Sequence, residues 1–463
     1  MEFIDEQQIS LLIENEKLND CALQKEILEK SKLSKGLSLS ESAALLKISD
    51  DDLLNELFHT AKEIKEKIYG NRLVLFAPLY ITNACVNNCL YCAFRRDNKE
   101  LKRKTLTLDE IKEETEFLVR QGHKRVLLVA GEHPKKSELK FIGVAIDTIY
   151  KVNINGGNIR RINVNTAPMT LDNFKALKSF GLGTYQCFQE TYKFSTYKEM
   201  HPNGPKSDYA FRLYAMDRAI QAGIDDVGIG ALFGLTDYKF ETLALLQHAF
   251  YLEKIYGTGP HTMSVPRLEP ALNAPVAMKP PFAVDDKSFK KLVAVIRLAV
   301  PYTGIILSTR ERAELRRELF EVGVSQISAG SRTSPGAYKE SEESLEEHQM
   351  QQFQLGDHRT LDEVVDDCCS LGYLPSFCTA CYRSSRTGDR FMELAKSGNI
   401  GKLCVPNAIA TFKEYLNDYA SEKTKEDAGN FLDGEIDKLD SSIKKKVNKM
   451  VERVNSGERD VFF

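Results

Sequence analysis

The feature that most constrains the fold is an alternation in the middle of the chain, where short apolar runs are each followed by a longer segment with helical spacing. The apolar runs fall at 73–81, 126–130, 162–165, 184–188, 227–231, 262–266, 304–308 and 324–329. Short continuous apolar runs read as strands buried on both faces, and alternation with amphipathic helices is the pattern of βα units in a parallel sheet. Eight such units predict a closed (β/α)8 barrel of TIM type, for which about 250 residues is an ordinary size.

Helix signals lie between the runs. Thr107-Leu108-Asp109-Glu110 forms a Ser/Thr-x-x-Glu capping box, in which hydroxyl and carboxylate satisfy each other's backbone N–H groups. Ser207 is placed to cap a helix that stops near Gly223, and Ser308 to Glu311 to open one that ends before Gly323. Before the barrel, residues 1–70 read as a helical extension, with a second capping box at Ser38 to Glu41. The barrel is assigned to 71–345. A C-terminal domain, 346–463, is expected to be mainly helical, and its last forty residues to form an amphipathic helix with a solvated basic face.

Acidic and basic residues are interspersed to a net charge of -3, without the segregated basic face that binds phosphate backbones, so nucleic acid is not an expected partner. No window approaches the apolar length of a membrane span, and the acidic start Met1-Glu2-Phe3-Ile4-Asp5-Glu6 lacks the apolar core of a signal peptide. A cytoplasmic protein is expected, with no membrane contact.

Six of the ten cysteines fall in two tight sets, a pattern of metal ligation in a reducing compartment and not of a disulfide scaffold. Cys85, Cys89 and Cys92 follow the first predicted strand, at the barrel end where active sites are built. Three thiolates on one loop can hold a four-iron cluster and leave one iron open to an outside chelator. Zinc is the competing reading, but it takes four closed ligands and no nearby His or Cys completes such a set. The second set, Cys378, Cys381 and Cys404, is again three thiols, with no histidine after His358. A zinc ribbon there would have to recruit Cys368 and Cys369, which sit in a helix-like stretch and read as packed thiols. Cys21 and Cys187 also read as packed.

The Cys85-x3-Cys89-x2-Cys92 spacing resembles the radical S-adenosylmethionine (SAM) superfamily, with Tyr91 where members pack the adenine. Gly131-Glu132 resembles the Gly-Gly-Glu motif that binds the SAM amino group, with Ala130 in place of the first glycine. Glu190 resembles the acidic residue that holds the ribose hydroxyls, and Arg212 the arginine that pairs with the SAM carboxylate. Asn165, at the end of the third strand, belongs to the same expected cofactor site.

Together with Cys378-x2-Cys381-x22-Cys404, the chain resembles the tyrosine lyases that mature FeFe-hydrogenase, the HydG family. The resemblance runs from about residue 40 to 420 and includes Ser328-Ala329-Gly330-Ser331-Arg332, Gln354-Leu355-Gly356-Asp357-His358-Arg359 and Pro375-Ser376-Phe377-Cys378. It implies a SAM-binding 4Fe-4S cluster on Cys85, Cys89 and Cys92, and an auxiliary 4Fe-4S cluster on Cys378, Cys381 and Cys404 with a further iron held by His261. It also implies cleavage of L-tyrosine to p-cresol and dehydroglycine, and conversion of the latter to carbon monoxide and cyanide as an Fe(CO)(CN) unit. Arg310 would hold the tyrosine carboxylate, and Ser308 joins the expected cofactor-binding residues. A one-electron donor such as ferredoxin or flavodoxin, and other hydrogenase maturation proteins, are the implied partners. Two alternatives stay open: the thiazole-pathway tyrosine lyase, 2-iminoacetate synthase, which lacks the second cysteine set, and a metal-bearing scaffold without catalysis.

Overall fold

The computed structural model describes residues 3–339 and 349–463. The expected domain boundary at 345/346, and Met1 and Glu2, lie outside the described residues. Eight parallel strands close a barrel: β1 Arg72–Thr82, β2 Arg125–Ala130, β3 Arg161–Asn165, β4 Thr184–Gln186, β5 Asp226–Gly230, β6 Thr262–Ser264, β7 Gly304–Leu307 and β8 Gln326–Ser328. Closure falls on β1, which pairs β2 from Ala77↔Val126 to Thr82↔Ala130 and β8 from Val74↔Gln326 to Phe76↔Ser328. The register of β1 against β2 slips between Tyr80 and Thr82, and such a bulge re-aims a strand end toward a site.

Each predicted run contains a strand, though β4, β6 and β8 are only three residues long. A ninth strand, β9 Leu374–Ser376, was not anticipated. It adds in parallel to the foot of β1, Arg72↔Leu374 through Val74↔Ser376, and tolerates Pro375 because it lies at an edge.

The helical extension is as expected, and its helix Asp51–Tyr69 packs against Asp286–Ala299 on the outside of the barrel. Gly70 ends that helix at φ +69°, a left-handed conformation costly for other residues, and turns the chain into β1. The capping boxes at Ser38 and Thr107 both form.

Two other caps do not. Ser207 ends a short 3-10 turn; Asp208 caps the next helix, Tyr209–Leu213, by accepting from the Phe211 N–H at 2.8 Å, and the chain breaks at Tyr214 before Ala215–Gln221. Ser308 to Arg312 is a loop, and the helix that follows, Ala313–Phe320, has no side-chain cap. The C-terminal forty residues form two helices, Glu422–Asp437 and Ser441–Asn455, and the second buries Val447, Met450 and Val454 against the helix Gly401–Asp418. Cys368, Cys369 and Cys187 are buried as expected, whereas Cys21 is exposed, at the first position of its helix. Among the described residues no helix is long and apolar enough to cross a membrane.

Candidate functional site

Alternate side chains of the strands point into the barrel, and they line two separate cavities along its axis. Strand heads line the upper one: Phe76, Pro78 and Tyr80 of β1, Val129 of β2, Ser264 of β6, Ile306 of β7 and Ser328 of β8. Strand feet line the lower one: Arg72 and Val74 of β1, Arg125 of β2, Gly304 of β7 and Gln326 of β8.

The upper chamber, about 200 Å³, collects Cys85, Cys89, Tyr91, Cys92, Gly131, Glu132, Asn165, Glu190, Arg212, Ser308 and Arg310. All the residues expected to bind SAM and substrate therefore share one wall-to-wall space. The cysteine loop is fixed from several sides. The Gly131 N–H donates to the Thr82 carbonyl at 2.9 Å, and a Cβ on Gly131 would come within 2.5 Å of the Ala84 carbonyl oxygen. Asn87 donates to Glu132 at 2.6 Å and to the Cys85 sulfur at 3.7 Å, and its Oδ1 accepts from the Lys206 backbone N–H. Gln352 donates to the Cys92 sulfur at 3.7 Å while its carbonyl accepts from Tyr80. Arg103 grips the loop from outside, donating to the carbonyls of Asn83, Phe94 and Arg95.

Burial pushes the Cys89 thiol up to about 12 and raises Cys92 as well. Such thiols give up their protons only when a metal replaces them. Among the described residues no three His, Cys, Asp or Glu side chains are drawn close enough for one mononuclear ion; the thiols stand around a shared space instead. Three free thiols, N–H donors aimed at two sulfurs and a water-poor chamber fit a three-thiolate iron–sulfur cluster.

Opposite the cysteines, Glu190 sits in a left-handed backbone conformation, φ +71°, a strain that the surrounding hydrogen bonds must hold. Its carboxylate accepts from Lys206 at 2.7 Å and lies 3.6 Å from Arg212. Burial opposes its ionisation, but Lys206 and Arg212 outweigh burial and hold it below the usual carboxylate range. Arg212 is itself aimed by a 2.7 Å bond to the Phe188 carbonyl. Tyr91 is buried, with its hydroxyl 2.7 Å from His201 Nε2.

The Arg310 guanidinium lies over the Phe353 ring, 3.2 Å from its centroid, and among the described residues it makes no ion pair. Its loop is held by the Gly356 and Asp357 N–H groups, which donate to the Thr309 carbonyl at 2.9 and 3.1 Å. Asp357 is clamped in turn by buried Arg316 and by Arg359, so the Gln354 to Arg359 motif acts as a brace for Arg310.

The lower cavity, about 50 Å³, brings Cys378, Cys381 and Cys404 together with His261. β9 delivers the first two and the helix Gly401–Asp418 the third. Burial raises Cys378, and pushes Cys381 up to about 12. It pushes His261 down to about 4, so its ring is neutral and able to ligate. His261 Nε2 lies 3.2 Å from the Tyr382 hydroxyl. The donor set, three thiols and one neutral imidazole, fits a second iron–sulfur group with a further metal ion.

Sequence reasoning missed Asn87, Lys206, Gln352, Arg72 and Arg125. Asn87 lies inside the cysteine motif and could have been suspected from that alone. The others sit in segments whose side-chain direction depends on register and loop course, which leave no mark in residue spacing.

Comparison with known proteins agrees with this layout. Residues 79–247 match the Radical SAM superfamily, and 264–374 the Biotin and Thiamin Synthesis associated domain, which runs from the last residue of β6 to the first residue of β9. The 2-iminoacetate synthase of Salmonella typhimurium is 30% identical over 340 residues, covering 73% of this chain and 86% of that protein. A crystal structure of HydG, a maturase of the [FeFe]-hydrogenase, is 50% identical with a TM-score of 0.95, covering 100% of both chains. The X-ray structure of HydG from Carboxydothermus hydrogenoformans is 43% identical with a TM-score of 0.84, covering 96% of this chain and 97% of that one.

Proposed function

The chain belongs to the HydG family of radical SAM enzymes, and from that premise we propose that it cleaves L-tyrosine in the upper chamber and converts the two-carbon remainder to carbon monoxide and cyanide in the lower cavity. The observation that carries the reading is the pairing of two three-cysteine sets at opposite ends of one barrel.

Cys85, Cys89 and Cys92 would hold a 4Fe-4S cluster, with Gly131, Glu132, Asn165, Glu190, Arg212 and Tyr91 placed for SAM. When both are bound, the reduced cluster would supply one electron to the SAM sulfonium, splitting its carbon–sulfur bond into methionine and a 5'-deoxyadenosyl radical. Arg310, stacked on Phe353 and without an ion pair among the described residues, offers a flat fork to the tyrosine carboxylate. Ser308 stands beside it, its hydroxyl 3.4 Å from the Arg310 N–H. Tyrosine held there by its carboxylate would share the chamber with the cysteine side, and a hydrogen atom would be taken from its amino group. The Cα–Cβ bond then breaks to give dehydroglycine and a 4-oxidobenzyl radical, which becomes p-cresol on taking up one electron from the one-electron donor and protons from solvent. The apolar walls, Phe76, Pro78 and Leu232, keep water and stray donors from the radical.

Dehydroglycine contains the atoms of one carbon monoxide, one cyanide and one water, so the second stage needs no outside oxidant. Cys378, Cys381 and Cys404 would hold the auxiliary 4Fe-4S cluster for it, with His261 presenting its neutral ring to the further iron. A reading limited to tyrosine cleavage, as in the 2-iminoacetate synthases, leaves this cavity without a use. A one-electron donor such as ferredoxin or flavodoxin, and other hydrogenase maturation proteins, complete the proposed set of partners. The test is anaerobic reconstitution with iron and sulfide, then incubation with SAM, dithionite and tyrosine: p-cresol, carbon monoxide and cyanide are expected. Zinc in place of iron, with no SAM cleavage, would instead support a metal-bearing scaffold.

A further inference from the structure

Asp226 and His261 stand side by side at the foot of the barrel because β5 and β6 are in register there. Gly228 pairs Thr262, and the His261 N–H donates to the Val227 carbonyl at 2.9 Å. The imidazole comes between the carboxylate and the lower cavity: His261 lines that space and Asp226 does not. Nε2 is the nitrogen on the cavity side, 3.2 Å from the hydroxyl of Tyr382, which lines the cavity too. Nδ1 is the nitrogen on the Asp226 side, 3.5 Å from Oδ1. Phe391 packs against the imidazole, with ring centroids 4.4 Å apart. Both side chains are buried, yet among the described residues Nδ1 has no hydrogen-bond partner.

The surroundings select one tautomer. A bare Nδ1 would face the carboxylate lone pair to lone pair, whereas an Nδ1–H meets an acceptor there and leaves Nε2 free to accept from the Tyr382 hydroxyl. A small turn of the ring, closing the gap by roughly 0.5 Å, brings Nδ1 and Oδ1 into hydrogen-bond range. Asp226 has the capacity. Its Oδ2 accepts from Arg161 at 3.4 Å and its Oδ1 from the Gly388 N–H at 3.2 Å, which leaves lone pairs unused on a group with about four. Arg161 also bonds Asn163 and Thr184, so the carboxylate is held from behind. An imidazole that gives its Nδ1 proton to a carboxylate presents its Nε2 lone pair, and the carboxylate makes that nitrogen the stronger ligand. We propose that Asp226 is the positioning residue for the further iron, holding His261 in its Nδ1–H tautomer with Nε2 turned to the metal. The assignment rests on the proposed function, which puts His261 on that iron.

The experiment uses the full chain carrying Cys85→Ala, Cys89→Ala and Cys92→Ala, reconstituted anaerobically so that only the lower cluster is present. The probe is ferrous iron, added to the four-iron protein, with bound iron counted at equilibrium. Protein grown on histidine labelled with nitrogen-15 at δ1 alone or at ε2 alone shows by pulsed EPR which ring nitrogen couples strongly to the added iron. Strong coupling is expected from the ε2 label only. In Asp226→Asn the four-iron cluster should still form, while the half-saturating concentration of ferrous iron rises about tenfold or more. Arg161→Gln, which keeps the carboxylate, should lose no comparable affinity. Strong coupling from the δ1 label overturns the assignment, and that measurement needs no variant to fold. So does unchanged affinity in Asp226→Asn, or an equal loss in Arg161→Gln, because Asp226 would then act through Arg161. Strong coupling from neither label, with iron bound, overturns the ligand set of the proposed function and the assignment with it. Carbon monoxide release from tyrosine, by a chain with all its cysteines, separates the two ideas. Release from a protein whose iron couples to δ1 leaves the proposed function standing without the assignment. Strong ε2 coupling and the tenfold loss, in a protein that makes no carbon monoxide, do the reverse.

Discussion

Ser376, two residues before Cys378, is the register partner of Val74 in β1, and the same strand runs on to Thr82, three residues before Cys85. One strand therefore carries a cysteine set at each end. The eight steps from Val74 to Thr82, at about 3.3 Å each, put those two strand positions roughly 26 Å apart. That separation is a property of the sheet and not of a flexible linker, and under the proposed function it would keep radical cleavage at one end apart from cyanide formation at the other.

Gly131→Ala should disable the upper chamber. The added methyl meets the Ala84 carbonyl oxygen at 2.5 Å, and that oxygen belongs to the loop that presents Cys85. The loop must shift, at a cost of about 1–3 kcal/mol. Iron content and SAM affinity should both fall, while the circular dichroism spectrum stays that of the unmutated protein. Normal SAM affinity in this variant would mean that the loop has slack the structure does not show.

Lys206→Met should move the acid limb of SAM binding. Glu190 is held below the usual carboxylate range, against burial, by Lys206 and Arg212. With Lys206 gone, burial gains and the carboxyl protonates at higher pH. SAM dissociation constants measured from pH 5 to 8 should rise earlier on acidification than in the unmutated protein. Coincident profiles would show that Lys206 does not govern Glu190.

Asp357→Asn should destabilise the fold by about 3 kcal/mol or more, because it leaves Arg316, fully buried, without its anion. Although burial opposes it, pairing with Arg359 and Arg316 holds Asp357 at about 2. A depressed carboxylate contributes stability above its ordinary pKa and loses it as the pH falls toward 2. Chemical denaturation should show the variant gap narrowing on acidification, and the KM for tyrosine should rise as the Arg310 loop loosens.

Glu241→Gln should act in the opposite sense. This buried acid accepts from Thr191 and from the Tyr192 N–H, next to Glu190, and burial pushes it up to about 8. A raised carboxyl binds its proton more tightly in the folded state, so folding stability is lost as the pH climbs from its ordinary value, near 4.5, to 8. Glutamine keeps the bond from the Tyr192 N–H through its carbonyl, donates to the Thr191 hydroxyl in place of accepting from it, and never ionises. The variant should be the more stable protein at pH 8, on the order of a few kcal/mol, with the difference gone by pH 5.

The residues explain why some of this was legible beforehand. Barrel strands are buried on both faces, so 73–81 and 126–130 stand out as continuous apolar runs. The two cysteine sets stand out because three thiols at short spacing have few other uses. Leu374-Pro375-Ser376 was invisible as a strand, being three residues long with a proline at its centre, yet its register with β1 is what sets Cys378 below the barrel. The Ser308 signal misled because a serine before a charged segment also suits a loop. There its hydroxyl accepts from the Arg310 N–H two residues on, and the helix waits until Ala313. Arg72 and Arg125 gave no signal, since an arginine at a strand start is ordinary until the fold buries it without an acid.

The division of labour between the two ends of the barrel is tested most directly by Cys378→Ala combined with Cys381→Ala, reconstituted anaerobically and given SAM, dithionite and tyrosine. The account predicts p-cresol still formed and carbon monoxide lost. Carbon monoxide released at the rate of the unmutated protein would contradict it.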